Sequence, residues 1–383
     1  MPPLHLILVP GFLGFQRLHT LPYFADVEAL LERPFRESGH AVTVRAIRTL
    51  PTSSLADRAA RLAEVVAEVV AEGPKGAEVH LIGHSTGGLD CRLFLSPGAS
   101  FPTQVDVAAT AEHVRSVVTV ATPHHGAPLA TLFTGVHGHR LMSVVSAAIT
   151  RLLRGGRRSA SAMVELGKVV LLLDRLAGVD EAHRGPLREQ LRVVPRLDDD
   201  PGLARLLDDI GDDTSLLEHL TPTSLALLNT TTHDRPGVRY ASVVAMAPRP
   251  RLRRLARLGL DPLARLTYAL YLASHRLAGL AASQRLPALT PEQERVLRQR
   301  LGVLPDRSDN DGIVPTCSQV WGTVIDAVSA DHFDLMGYYG GRRERPRLDM
   351  LACGADFGPQ EFEATWTRVS RFVRDTAAEA AAA

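Results

Sequence analysis

The sequence predicts an α/β fold, with a mostly parallel central sheet, helices on both faces and a helical insertion. Three observations lead there. Short apolar runs at residues 4–9, 41–47, 79–82 and 114–120 alternate with segments of helical periodicity, the pattern of strands and crossover helices. Turn residues end the runs, Pro10-Gly11 after the first and a glycine-rich stretch after the third. Beyond residue 126 the rhythm breaks, and helical patterns run on without strands.

The elements follow in order. Leu4-His5-Leu6-Ile7-Leu8-Val9 reads as a buried strand, and residues 41–47 as a second. Residues 54–72 read as a helix, which Ser54 can cap and whose Leu55, Ala59, Leu62, Val66 and Val69 fall near one face. The third strand, residues 79–82, runs into a helix after Ser85, and residues 114–120 form the fourth. Residues 126–220 then form a helical lid insertion, with strongly apolar stretches at 141–153 and 163–176. Strand character returns at 238–246. Residues 248–306 form a second, partly helical insertion that opens with Arg249, Arg251, Arg253, Arg254 and Arg257. A late strand at 320–328 and a terminal helix at 361–378 close a single domain over residues 1–383.

Composition excludes several classes. The chain is 45% hydrophobic and 22% charged, as globular proteins are. A net charge of +1 gives no electrostatic footprint for nucleic acid. Cys91, Cys317 and Cys353 are too few and too scattered for a disulfide framework or a zinc motif. No apolar run reaches the ~18 residues of a membrane span. The N-terminus lacks a signal-peptide pattern, so the expected compartment is the cytoplasm, or the exterior if a leader has been removed.

Gly83-His84-Ser85-Thr86-Gly87 follows the third strand directly. It fits a nucleophile elbow, a sharp strand-to-helix turn that presents a serine hydroxyl above the sheet. Chance supplies this pattern in about one chain in ten of this length, so its weight comes from context. A serine needs a base, the base needs an orienting acid, and the resulting oxyanion needs fixed donors. On such a fold the order is Ser, acid, His. Downstream lie Ser308-Asp309-Asn310-Asp311-Gly312 and then Asp331-His332-Phe333-Asp334. Asp311 is assigned as the acid and His332 as the base. Asp309 is the competing acid, with Asp311 then a turn residue ahead of Gly312. His124 and His125 stand too early in the chain to be the base. The oxyanion donors are assigned as the N–H groups of Thr86 and of Phe12, the latter in the loop after the first strand.

Several of these stretches together resemble one family, the calcium-dependent bacterial true lipases of the Pseudomonas and Burkholderia type, within the α/β-hydrolase superfamily. Val9-Pro10-Gly11-Phe12-Leu13-Gly14-Phe15 is similar to the family's oxyanion segment, and Leu81 to Gly88 to its elbow. Ala121-Thr122-Pro123-His124-His125-Gly126-Ala127 resembles the turn before its lid, and Gly237 to Ser242 the strand after it. Asn310 to Ser318 is similar to the acid loop, and His332-Phe333-Asp334 to the histidine loop. The matches cover about half of the chain and keep the family's order.

The resemblance implies the α/β-hydrolase fold, Ser85 as nucleophile, Asp311 as acid, His332 as base, and Phe12 with Thr86 as oxyanion donors. It also implies a structural Ca²⁺ held by two aspartates and backbone carbonyls, with Asp334 at one position and Asp261 at the other. Oxygen ligands of this kind suit Ca²⁺. A local reading stands beside it: Asp334 pairs nearby, and Asp261 caps a helix that starts at Pro262. The chain departs from the family in three ways. Pro10 replaces a histidine, the second insertion is long, and Cys317 lacks the cysteine partner that the family often supplies.

The expected activity is that of a serine carboxylic-ester hydrolase, a lipase or carboxylesterase on acyl esters such as triacylglycerols. Met142, Val144, Val145, Ile149, Leu152, Leu153 and residues 169–173 can cover an acyl pocket and meet a lipid surface, or simply pack as core. The arginine run can touch anionic head groups or form a solvated face. Other acyl chemistry on the same triad (polyester depolymerisation, thioester cleavage, acyl transfer) is the alternative, followed by a non-catalytic binding module. No organic cofactor is expected.

Overall fold

The computed structural model describes residues 3–12, 17–18, 21–131, 134, 169, 213, 215–251, 258, 261–280, 286–337 and 349–382. Its centre is a six-stranded sheet made of β1 (Leu4–Val9), β2 (Val42–Ala46), β3 (Glu78–His84), β4 (Val114–Val120), β5 (Arg239–Ala245) and β6 (Thr323–Val328). The spatial order is β2-β1-β3-β4-β5-β6, and every pairing is parallel. All six strands fall where the sequence places them. Parallel strands need crossover connections, and the helices supply the cover.

The described helices are α1 (Val27–Glu37), α2 (Leu55–Glu72), α3 (Thr86–Leu95), α4 (Val107–Ala111), α5 (Pro128–Thr131), α6 (Ser215–His219), α7 (Pro222–Thr231), α8 (Pro262–Gly279), α9 (Pro291–Leu301) and α10 (Pro359–Ala382). Successive side chains of a strand point to opposite faces, and β1 shows the result. Leu4, Leu6 and Leu8 join the core that Val27, Leu31 and Phe35 of α1 form with Trp366, Val369 and Val373 of α10. Ile7 and Val9 join Ala59, Leu62 and Val66 of α2 and Phe94 of α3 on the other face. Ser54 caps α2 by accepting a hydrogen bond from Asp57 N–H, and the five apolar residues expected on its inner face are all buried.

The insertions are described in part. From the first, Leu129, Val169 and Leu217 are buried and belong to the same core as the inner faces of α1 and α10. Leu216, Leu220 and Leu225 pack with Leu55 and Leu89, and the Phe12 side chain lies against them. The other residues named above as a lid face lie outside the described residues, as do Arg253, Arg254 and Arg257. No described helix is long and apolar enough to cross a membrane. Cys91, Cys317 and Cys353 are free thiols.

His80 sits in the middle of β3 with no solvent exposure. Its Nδ1 is 2.8 Å from Ser116 Oγ. Burial, then the charge of Arg115, lowers its pKa from 6.5 to about 3. The unfolded chain therefore takes up a proton near pH 6.5 that the folded chain refuses until about pH 3. Stability from this group is fully present above pH 6.5 and is lost as pH falls through that window. Urea titrations between pH 7 and pH 4 should show a shallower acid loss in His80→Gln, by up to about 1.4 kcal/mol per pH unit.

Candidate active site

The site lies where a parallel sheet offers one, beyond the carboxyl ends of its strands. β3 ends at His84, and Ser85 follows with φ 54° and ψ −127° before α3 begins. That conformation is sterically costly for a residue with a side chain. It is held by the hydrogen bond from Ser85 N–H to Val120 O, 2.8 Å, at the end of the next strand. The turn needs glycine on both flanks. A Cβ on Gly83 would stand 2.5 Å from the Gly87 backbone, and one on Gly87 would collide with Val9 O.

Ser85 Oγ is 2.9 Å from His332 Nε2, and His332 Nδ1 is 2.8 Å from Asp311 Oδ2. The three side chains are buried, Asp311 completely. A carboxylate only accepts, so His332 Nδ1 carries the ring proton and Nε2 offers its lone pair to the serine hydroxyl. Asp311 is itself held by its loop. Its Oδ1 accepts from Ile313 N–H (2.9 Å) and Val314 N–H (2.7 Å), and its Oδ2 also accepts from Gln319 Nε2 (3.1 Å). His332 N–H donates to Asp311 O at 3.0 Å, which ties the two loops backbone to backbone. Asp309, the competing acid, is bound instead by Arg249 Nε at 2.8 Å. His124 belongs to another cluster, with Arg92 Nη1 3.2 Å from its Nδ1 and Thr119 Oγ1 3.0 Å from its Nε2.

Thr86 follows Ser85 directly, and Phe12 follows Gly11, whose backbone stands against Ser85. Thr86 is the first residue of α3, so its N–H belongs to the set that a helix leaves without an internal acceptor. The loop bearing Phe12 presses on the elbow, since a Cβ on Gly11 would stand 2.6 Å from Ser85 Cβ. Sequence reasoning missed what anchors this loop. Arg58 of α2 is fully buried, and its Nη2 donates to Pro10 O (3.2 Å), Gly11 O (3.4 Å) and Thr86 Oγ1 (3.3 Å). Asp90 of α3, also fully buried, pairs with it through Nε (3.0 Å) and Nη2 (2.6 Å). Burial raises the Asp90 pKa above its usual value, although Arg58 pulls the other way. A signal was present: Arg58 stands four residues before Leu62, on the face of α2 that turns inward.

The two metal candidates fall in different settings. Asp261 is the N-cap of α8, its Oδ1 accepting from Leu263 N–H (3.0 Å) and Ala264 N–H (3.2 Å), with Pro262 at the first helical position. Asp334 accepts from Asp331 N–H at 3.0 Å and forms a buried group with Asp331 and Cys353, whose ligand atoms lie within 4.8 Å of one another. Asp261 is outside that group. Two carboxylates suit Ca²⁺. Cys353 does not add to them, because Ca²⁺ takes oxygen ligands and its side chain offers only sulfur.

No protein-family model matches the chain, and no curated protein does. Among solved structures it is similar to lipase 1 from Pelosinus fermentans, at 17% identity over 97% of this chain and 99% of that one, with a TM-score of 0.52. It is also similar to Staphylococcus hyicus lipase, at 16% identity over 98% and 96%, with a TM-score of 0.50. With the parallel sheet and the elbow above it, these likenesses show an α/β-hydrolase fold.

The Arg58–Asp90 pair gives a direct expectation. Asp90→Asn leaves a buried guanidinium without its counter-charge and should lower the unfolding free energy by about 3–5 kcal/mol in urea titrations.

Proposed function

We propose that this chain is a serine carboxylic-ester hydrolase, a lipase or esterase acting on acyl esters of the triacylglycerol type. The observation that carries this reading is the unbroken chain from Ser85 Oγ through the His332 ring to Asp311, at 2.9 and 2.8 Å. His332 Nε2 takes the hydroxyl proton as Ser85 Oγ attacks the ester carbonyl. Asp311 stabilises the resulting imidazolium and holds its Nδ1–H. The N–H groups of Phe12 and Thr86 receive the oxyanion. His332 then protonates the leaving alcohol, and a water molecule activated by the same nitrogen releases the acid from the acyl-enzyme.

The apolar residues of 126–220 supply the acyl-binding cover in this reading. The head-group role of the arginine run is narrower than its sequence suggests, because Arg249 is already paired with Asp306 and Asp309. A calcium ion belongs to the same proposal, at Asp334 with Asp331 beside it. Bound there, it would supply charge that fixes the loop bearing His332.

Two measurements test the reading. Ser85→Ala should lose about 10⁶-fold in kcat on p-nitrophenyl esters, and Asp311→Asn about 10⁴-fold, while Asp309→Asn stays within about tenfold of wild type; full activity in Ser85→Ala would end the proposal. Saturating Ca²⁺ should raise the melting temperature of EDTA-treated protein, by the equivalent of about 2.7 kcal/mol at a hundredfold excess over Kd, and Asp334→Asn should abolish that rise. An EDTA-treated protein whose melting is unmoved by Ca²⁺ holds no calcium site.

A further inference from the structure

We propose that His84 and Tyr23 are positioning residues that join the backbone of the histidine loop to the backbone of the oxyanion loop, so that His332 and the Phe12 N–H are set as one unit. The kinetic consequence rests on the ester-hydrolase reading above; the hydrogen-bond chain itself does not.

The chain has one possible direction. His332 O lies 3.1 Å from His84 Nε2, and a carbonyl oxygen only accepts, so Nε2 carries the ring proton. His84 is 1% exposed. Burial, then the neighbouring His332, holds its pKa well below the ordinary value and keeps the ring neutral. Nδ1 is therefore a lone pair, and Tyr23 O–H, 2.8 Å away, donates to it. The Tyr23 oxygen in turn accepts Gly11 N–H at 3.1 Å. The rings are in contact as well, Tyr23 edge-on to His84 with centroids 5.8 Å apart and His84 tilted against His332 with centroids 5.0 Å apart.

Gly11 is thus held at both ends. Tyr23 takes its N–H, and Arg58 takes its carbonyl at 3.4 Å. The peptide joining Gly11 to Phe12 is trans, so its N–H points away from its C=O. A carbonyl anchored on the buried Arg58 leaves the Phe12 N–H facing the other side. The oxyanion donor and the base must both be in place when the tetrahedral intermediate forms, and a misplacement of ~1 Å costs about a hundredfold in rate. A chain of two side chains linking the two backbones is the device that fixes their separation.

Tyr23→Phe removes one oxygen and leaves the ring in its packing against Phe24 and His84. Its kcat on p-nitrophenyl esters should fall by about 10- to 100-fold with KM within about twofold of wild type. His84→Phe should do the same, and the double variant should be no worse than the poorer single one, because the residues act in series. A second readout is independent of activity. In protein with ¹⁵N-labelled histidine, wild type should show His84 as the Nε2–H tautomer, and Tyr23→Phe should shift both the His84 Nδ1 and the His332 ring resonances. A folded Tyr23→Phe with wild-type kcat, additive losses in the double variant, His84 in the Nδ1–H tautomer, or His332 resonances unmoved by Tyr23→Phe would each overturn the proposal. If wild type and Ser85→Ala hydrolyse esters alike, the hydrolase reading falls and the spectra alone decide the chain: shifted His332 resonances support it and unshifted ones overturn it.

Discussion

The turn at Ser85 is the constraint on which the site depends. A residue with a side chain at φ 54° costs about 1–3 kcal/mol, and it persists only where its neighbours leave no alternative. Val120 holds its N–H, Gly83 and Gly87 let strand and helix meet, and Gly11 closes the third side. The strain points the hydroxyl out of the sheet toward the loop that follows β6. The parallel sheet matters because it delivers the ends of β1, β3, β4 and β6 to one rim. The loops that bear Phe12, Ser85 and His332 all start from that rim.

Charge burial is the second theme. Fully buried ions are costly unless paired and hydrogen-bonded, and Asp311 and Arg58, both fully buried, are hydrogen-bonded on several sides. Asp311 receives four donors, from Ile313, Val314, Gln319 and His332. Arg58 divides its donors between Asp90 and the carbonyls of the first loop. Neither group is spent on stability alone. Each fixes a loop whose backbone or ring stands next to Ser85, so the electrostatics that hold the core together also align the site.

The sheet was legible in the sequence because buried parallel strands are short apolar runs with turn residues after them, and all six runs became strands. Ser85, Asp311 and His332 could be singled out as candidates because each sits in a local turn pattern and the three keep a fixed order, and the structure brings their side chains within hydrogen-bond distance. Asp311 was preferred to Asp309 on the sequence alone, but the partners that separate the two were not legible. Both stand in one acidic turn, and only the fold shows that Arg249 takes one of them and His332 the other. Arg58 could be seen on the inner face of α2, but its pairing with Asp90, 32 residues away, and that of Tyr23 with His84, 61 apart, left no pattern. Their partners meet through tertiary packing, which no local period encodes. Asp261 shows the reverse case: the Asp-Pro pair states a helix cap plainly, and the structure contains that cap.

The central claim is that Ser85 is a nucleophile activated by His332. Mapping a fluorophosphonate adduct by peptide mass spectrometry tests it most directly. The account predicts one phosphonate, carried by the peptide that contains Ser85, and its loss in His332→Ala. An adduct on another residue, or ester hydrolysis that continues in protein fully labelled at Ser85, would contradict it.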